Sequence, residues 1–77
     1  MAYLEVGKVK YSQAKFDAAI ESFSKWIQYN PEDSEAFYNR GLAKIKAGRK
    51  AEACEDFTKA NEMGFAQADE AKKLNCR

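Results

Sequence analysis

The chain has 77 residues, of which 45% are apolar and 32% charged, with 13 basic and 12 acidic side chains giving a net charge of +1. Such a composition excludes a disordered tail and a fibrous protein, and the interspersed charges argue against a dedicated nucleic-acid surface. There is no apolar run long enough to cross a bilayer and no basic start followed by an apolar core, so the chain reads as soluble, without membrane insertion.

A chain of this size is one small domain burying only about 60% of its unfolded surface. One proline and four glycines leave long uninterrupted segments, which favour helices. In chain order, residues 2–13 form the first expected helix, with Ala2, Tyr3, Val6, Gly7 and Val9 on one side. Gly7 lies in that stripe, where a glycine implies the close approach of another backbone. The second helix begins at Phe16 after a short turn and carries the strongest stripe: Phe16, Ala19, Ile20, Phe23, Trp26 and Ile27. Trp26 is read as core rather than as an exposed binding anchor. Asn30-Pro31 ends this helix, and Asp33 or Ser34 caps the next.

The third helix, residues 34–47, carries Ala36, Phe37, Gly41, Leu42 and Ile45 and ends at Gly48 in a left-handed cap. The fourth, residues 49–63, buries Ala53, Cys54, Phe57, Ala60 and Met63 and is closed by Gly64, with Phe65 folding back on Ala60. A fifth, residues 67–75, docks Ala68, Ala71 and Leu74 and turns its charged side to water, as the last element of a stacked array must.

The second and fourth helices echo each other at a separation of 34 residues, and the echo pairs Ala2, Gly7, Lys10, Ala19, Glu21, Phe23 and Lys25 with Ala36, Gly41, Lys44, Ala53, Glu55, Phe57 and Lys59. A fixed period of that length marks a repeat architecture. The first copy reads Tyr3-x2-Val6-Gly7-x2-Lys10, Ala19-x3-Phe23, Pro31, and the second Phe37-x2-Arg40-Gly41-x2-Lys44, Ala53-x3-Phe57, Phe65. This resembles the tetratricopeptide repeat, whose signature is W-x2-L-G-x2-Y, A-x3-F, P. The resemblance covers residues 2–65 directly and 66–77 as a capping helix. It implies an all-α fold: a right-handed superhelical stack of antiparallel helix pairs, forming a single domain 1–77 with repeat one at 1–34, repeat two at 35–65 and the cap at 66–76. Departures from the signature are Lys10 and Lys44 at its tyrosine, Arg40 at an apolar position, and Trp26 where alanine is usual. The expected packing sets Gly7 against Ala19 and Gly41 against Ala53, so that the helix axes approach closely, with Phe23 and Phe57 filling the space towards the following pair.

For function the resemblance implies recognition without catalysis. First helices of successive pairs line a concave groove for an extended peptide or partner helix, and by register that groove carries Leu4, Glu5, Lys8, Tyr11, Ser12, Tyr38, Asn39, Leu42, Ile45 and Lys46, followed by Lys72 and Lys73. An apolar strip edged by lysines suits a peptide with apolar side chains and an acidic residue or carboxylate. Some family members clamp the C-terminal carboxylate of chaperones; at those positions Asn39 matches, but Leu4, Lys8, Asp69 and Lys73 depart from the clamp. A second reading is a structural module that self-associates, as a homodimer hiding Leu4 and Tyr38. A third is a helical repeat that binds RNA, for which Tyr11 and Tyr38 beside Lys8 and Lys46 are suited but Glu5 and Glu35 are not.

No enzymatic constellation is present: the sequence has no histidine, no phosphate-cradling loop and no metal-ligand spacing, so neither cofactor nor metal is implied. Asp17 with Glu21, and Glu52 with Glu55 and Asp56, read as solvated helix faces. Cys54 reads as an inert thiol in the core; a disulfide to Cys76 belongs to an oxidising compartment, and its geometry is not set by the sequence. The cytoplasm is the favoured compartment, and the chain reads as a candidate piece of a longer array.

Overall fold

In the computed structural model, which describes residues 2–76, five α-helices follow one another: α1 (Tyr3–Ser12), α2 (Phe16–Tyr29), α3 (Ser34–Lys46), α4 (Lys50–Glu62) and α5 (Ala66–Asn75). Each packs antiparallel-fashion on its neighbour in sequence, giving two helix pairs and a closing helix. Among the described residues α1 also approaches α3 and α3 approaches α5, whereas α2 and α4 stay apart. The odd-numbered helices therefore form one layer and the even-numbered ones a more widely spaced back layer.

The boundaries follow local chemistry. α1, α3 and α4 end in the same cap: the backbone N–H groups of Lys15, Arg49 and Phe65 reach back to the carbonyls of Lys10, Lys44 and Ala60, at 2.9, 2.7 and 3.0 Å. This cap places one residue in the left-handed region. Gly48 (φ +80°) and Gly64 (φ +93°) occupy it after α3 and α4 as expected, but after α1 it is Ala14, at φ +62°. α2 ends at Asn30 before Pro31, and Asp33 caps α3, its Oδ1 accepting from the Ala36 N–H at 3.2 Å.

The core has three clusters: Ala19, Ile20, Phe23 and Ala43; Phe37, Ala60 and Ala68; and Ala53, Phe57 and Ala71. Phe23 and Phe57 are the largest fully buried side chains. Their rings lie over Gly7 and Gly41. A Cβ on Gly7 would stand 2.5 Å from Phe23 Cε1, and one on Gly41 would stand 2.6 Å from Phe57 Cε1. The closest approach is thus glycine to phenylalanine within one helix pair rather than glycine to alanine, while the rings also reach the following element, Phe23 in one cluster with Ala43 and Phe57 in one with Ala71. The ring is the flat object that a bare glycine admits, while Ala19 and Ala53 are buried beside it.

Two further expectations are corrected. On α1 only Gly7 is buried; Tyr3 and Val9 are 40% and 49% exposed, and Leu4 and Tyr11 pack on the core instead. Trp26 is half-buried and belongs to none of the core clusters. Its Nε1 donates to Asp33 Oδ2 at 2.8 Å, so one carboxylate both caps α3 and holds the end of α2.

Gly41→Leu should drive a branched side chain into the Phe57 ring and cost at least about 2 kcal/mol, which lowers the thermal midpoint by roughly 10 °C in a domain of this size; an unchanged midpoint would contradict the packing. Ala14→Gly has the opposite sign, since it removes left-handed strain from a non-glycine residue. A gain of roughly 0.5 kcal/mol, or a few degrees in midpoint, is expected after the greater freedom of the unfolded chain is set against it.

Candidate functional site

Along the layer of α1, α3 and α5 two clefts open. One, of about 90 Å3, lies between α1 and α3 and is lined by Lys8, Tyr11, Phe23, Asn39 and Leu42. The other, of about 320 Å3, lies between α3 and α5, where Tyr38, Leu42 and Ala71 make the apolar part and Gln67, Glu70 and Asn75 the polar part, with Leu74 at the side. Leu42 lines both, so the clefts adjoin along α3.

Each wall is set by packing from behind. Tyr11 stacks edge-on against Phe16, with ring centroids 5.4 Å apart and planes at 70°. Tyr38 is tilted against both Phe57 and Phe65, at 5.9 and 5.0 Å. These contacts leave one edge of each tyrosine for the clefts, because their other faces are occupied. Leu4 packs on the Ala19 cluster and Ile45 on the Ala53 cluster, so both support the walls and line neither cleft. Lys8 and Lys46 are exposed, but only Lys8 borders a cleft.

On α5 the orientation differs from the sequence expectation. Ala68 and Ala71 are buried, whereas Leu74 is 65% exposed and turns towards the cleft. The residues that α5 offers there include Gln67, Glu70 and Leu74, not Lys72 or Lys73. Lys73 Nζ instead lies 3.1 Å from Asp69 Oδ2, one helical turn away. The cleft system is therefore basic at its α1 end, where Lys8 stands, and acidic at its α5 end, where Glu70 stands.

Behind α3 is an ionic cluster that the sequence analysis missed. Asp56, assigned there to a solvated face, is 3% exposed. Arg40 Nε and Nη2 donate to its two carboxylate oxygens at 2.9 and 2.7 Å, and Lys44 Nζ lies 3.0 Å from Oδ2. Arg40 Nη1 donates further to Ser24 Oγ on α2 at 3.1 Å. One arginine of α3 thereby joins the two back helices, and a bidentate arginine–carboxylate pair fixes the rotation of α3 that presents Tyr38, Asn39 and Leu42. The sequence did hold a signal: Ala53, Asp56, Phe57 and Ala60 follow helical spacing, placing Asp56 on the buried stripe.

Cys54 is likewise not an inert core thiol. It is disulfide-bonded to Cys76, with Cα atoms 5.8 Å apart, which ties the end of α5 to the first half of α4. With two cysteines and a helix of unknown rotation between them, the sequence carried no signal for this bond.

Comparison with known proteins agrees with this architecture. Residues 7–48 match the family model described as TPR repeat, and residues 34–63 that described as tetratricopeptide repeat. The chain belongs to the tetratricopeptide-repeat family, a class of helical-repeat modules for protein–protein interaction. It is similar to the Hsp70-Hsp90 organizing protein of Triticum aestivum, 33% identical over 60 residues, which make up 78% of this chain and 10% of that protein. The matched region thus spans about a tenth of that relative's length. Among the described residues no helix is long and apolar enough to cross a membrane.

Asp56→Asn keeps the shape of the side chain but leaves the buried Lys44 and the half-buried Arg40 without their anion, and should cost about 3 kcal/mol. Replacing Arg40, Lys44 and Asp56 together with apolar residues of similar size should recover most of that loss, as seen by chemical denaturation. Equal stability of Asp56→Asn and the parent would show that the cluster does not hold α3.

Proposed function

We propose that the α1/α3/α5 face is a groove for an extended segment of a partner protein, and that the chain acts as a recognition module without catalysis, its two helix-pair repeats at residues 1–34 and 35–65 and its cap at 66–76. Met1 and Arg77 lie outside the described residues. The observation that carries the reading is the pair of adjoining clefts sharing Leu42: an apolar floor with a few fixed polar groups is the form of site in which burial supplies affinity and the polar groups supply orientation. Of the residues assigned to the groove by register, Lys8, Tyr11, Tyr38, Asn39 and Leu42 are taken as contacts, Leu4 and Ile45 as supports, and Lys46 and Lys73 as groups at the edge.

The bound segment has apolar side chains for the Leu42 floor and an acidic group for Lys8, with Asn39 positioned to bond its backbone. Glu70 sets its direction by repelling acidic groups from the α5 end. A chaperone tail is one source of such a segment, given that the relative is named for organizing Hsp70 and Hsp90. The carboxylate clamp is incomplete here, however, since Leu4 and Asp69 stand where cations are needed, so a segment with an internal acidic residue is favoured. The cytoplasm remains the favoured compartment. No observation favours the homodimer or the RNA reading over this one.

The test is the affinity of an extended peptide with leucine at alternate positions and one glutamate, against the same peptide with glutamine. Lys8→Glu should weaken the glutamate peptide about tenfold, shift the glutamine peptide by less than twofold, and leave the thermal midpoint unchanged because Lys8 is exposed. Equal loss for both peptides would refute the assignment of Lys8.

A further inference from the structure

α5 has little of its own to hold it in place. It has ten residues, its N-terminus has no side-chain cap, and the only residues it buries fully are Ala68 and Ala71. A helix of that length is marginal in water, and two methyl groups bury little surface to hold it. Its beginning has a second anchor, because Phe65 packs against Tyr38 and belongs to the Ala60 cluster. At its end Leu74 is largely exposed, and the apolar contact is that of Cys76 itself, which packs on the Ala53 cluster. What fastens that end is the bond from Cys76 to Cys54.

The surroundings of this bond are open. Both cysteines are half-buried and border a shallow surface depression shared with Lys50 and Ala51. Lys50 is the first residue of α4, one turn before Cys54 on the same helical face. The depression gives a thiol reductant access to the bond. The opposite side of α5 carries the Gln67, Glu70 and Leu74 wall of the larger cleft.

We propose that the Cys54–Cys76 bond is a redox-operated latch: a dithiol reductant entering at the Lys50 depression opens it, releases the C-terminal half of α5, and removes the α5 wall from the groove. The latch stands on the disulfide and on the contacts of α5; its effect on ligand affinity rests on the groove reading above. Chemically the step is thiol–disulfide exchange. A thiolate of the reductant attacks the Cys76 sulfur, the sulfur–sulfur bond breaks, and its electron pair leaves on Cys54 beside Lys50. The second thiol of the reductant then displaces Cys76 from the mixed disulfide. Two electrons and two protons pass to Cys54 and Cys76, which become thiols, while the dithiol becomes a disulfide. In a reducing compartment, where disulfides are transient, such a bond reports the local redox state.

The experiment is amide hydrogen exchange on the full chain in three forms: oxidised, reduced with dithiothreitol, and as the Cys54→Ala/Cys76→Ala variant. In both bond-free forms the amides of residues 70–75 should exchange at least tenfold faster, while those of α1, α2 and α3 change by less than twofold. Unchanged protection in α5 overturns the latch. Loss of protection in all five helices overturns it as well, because the bond would then be a general staple; the reduced parent chain decides the matter even if the double variant does not fold. Affinity for the leucine and glutamate peptide should fall at least fivefold on reduction, and equal affinity in the two forms overturns the coupling to the groove. Faster exchange in α5 with no peptide binding in either form supports the latch and refutes the groove instead.

Discussion

The rest of the structure depends on a phenylalanine ring lying flat on a glycine. Phe23 on Gly7 and Phe57 on Gly41 are the same contact made twice, and in each case a single Cβ would enter the space the ring occupies. This contact sets how closely the two helices of a pair approach. It also buries Phe23 and Phe57 completely, and burying an aromatic ring is worth a few kcal/mol in a domain with little core to spare. Because the two contacts are equivalent, the pairs have like shape, and α3 can sit against α2 with its own partner α4 behind it. The groove layer follows from that stacking.

The two pairs are alike in outline but not in chemistry. Where the second pair has Arg40, Lys44 and Asp56, the positions 34 residues earlier are Val6, Lys10 and Ser22. The departures from the family signature at Arg40 and Lys44 are thus two parts of one ionic cluster, completed by Asp56 and reaching Ser24 on the neighbouring pair. A buried cluster of this kind adds little net stability over apolar side chains of equal volume, because desolvation offsets attraction. Its geometric effect is larger: a bidentate pair has one good orientation, and α3 carries both the pair and the centre of the groove. Trp26 and Asp33 act similarly at the junction of α2 and α3.

The larger cleft and the closing of the core meet in α5. The helix covers the Ala60 and Phe57 clusters with Ala68 and Ala71, and its other side forms a wall of the larger cleft. Small side chains bring it close to α4 but bind it weakly, which leaves the covalent link to Cys54 to hold its end.

The sequence by itself determined the five helices, the period, the family and the left-handed caps at Gly48 and Gly64. These are set by local spacing and by residues whose backbone preferences act within one turn, and the repetition doubles the signal. By register alone it also brought Lys8, Tyr11, Asn39 and Leu42 to one face. The tertiary structure decided which residue each glycine admits, that Asp56 is buried, that Leu74 borders the larger cleft, and that Cys54 pairs with Cys76. Each of those depends on how far one helix is rotated about its axis relative to another, and a rotation of one residue position, about 100°, exchanges a buried side chain for an exposed one. That rotation is fixed only when rings, ion pairs and the disulfide from distant parts of the chain close against each other.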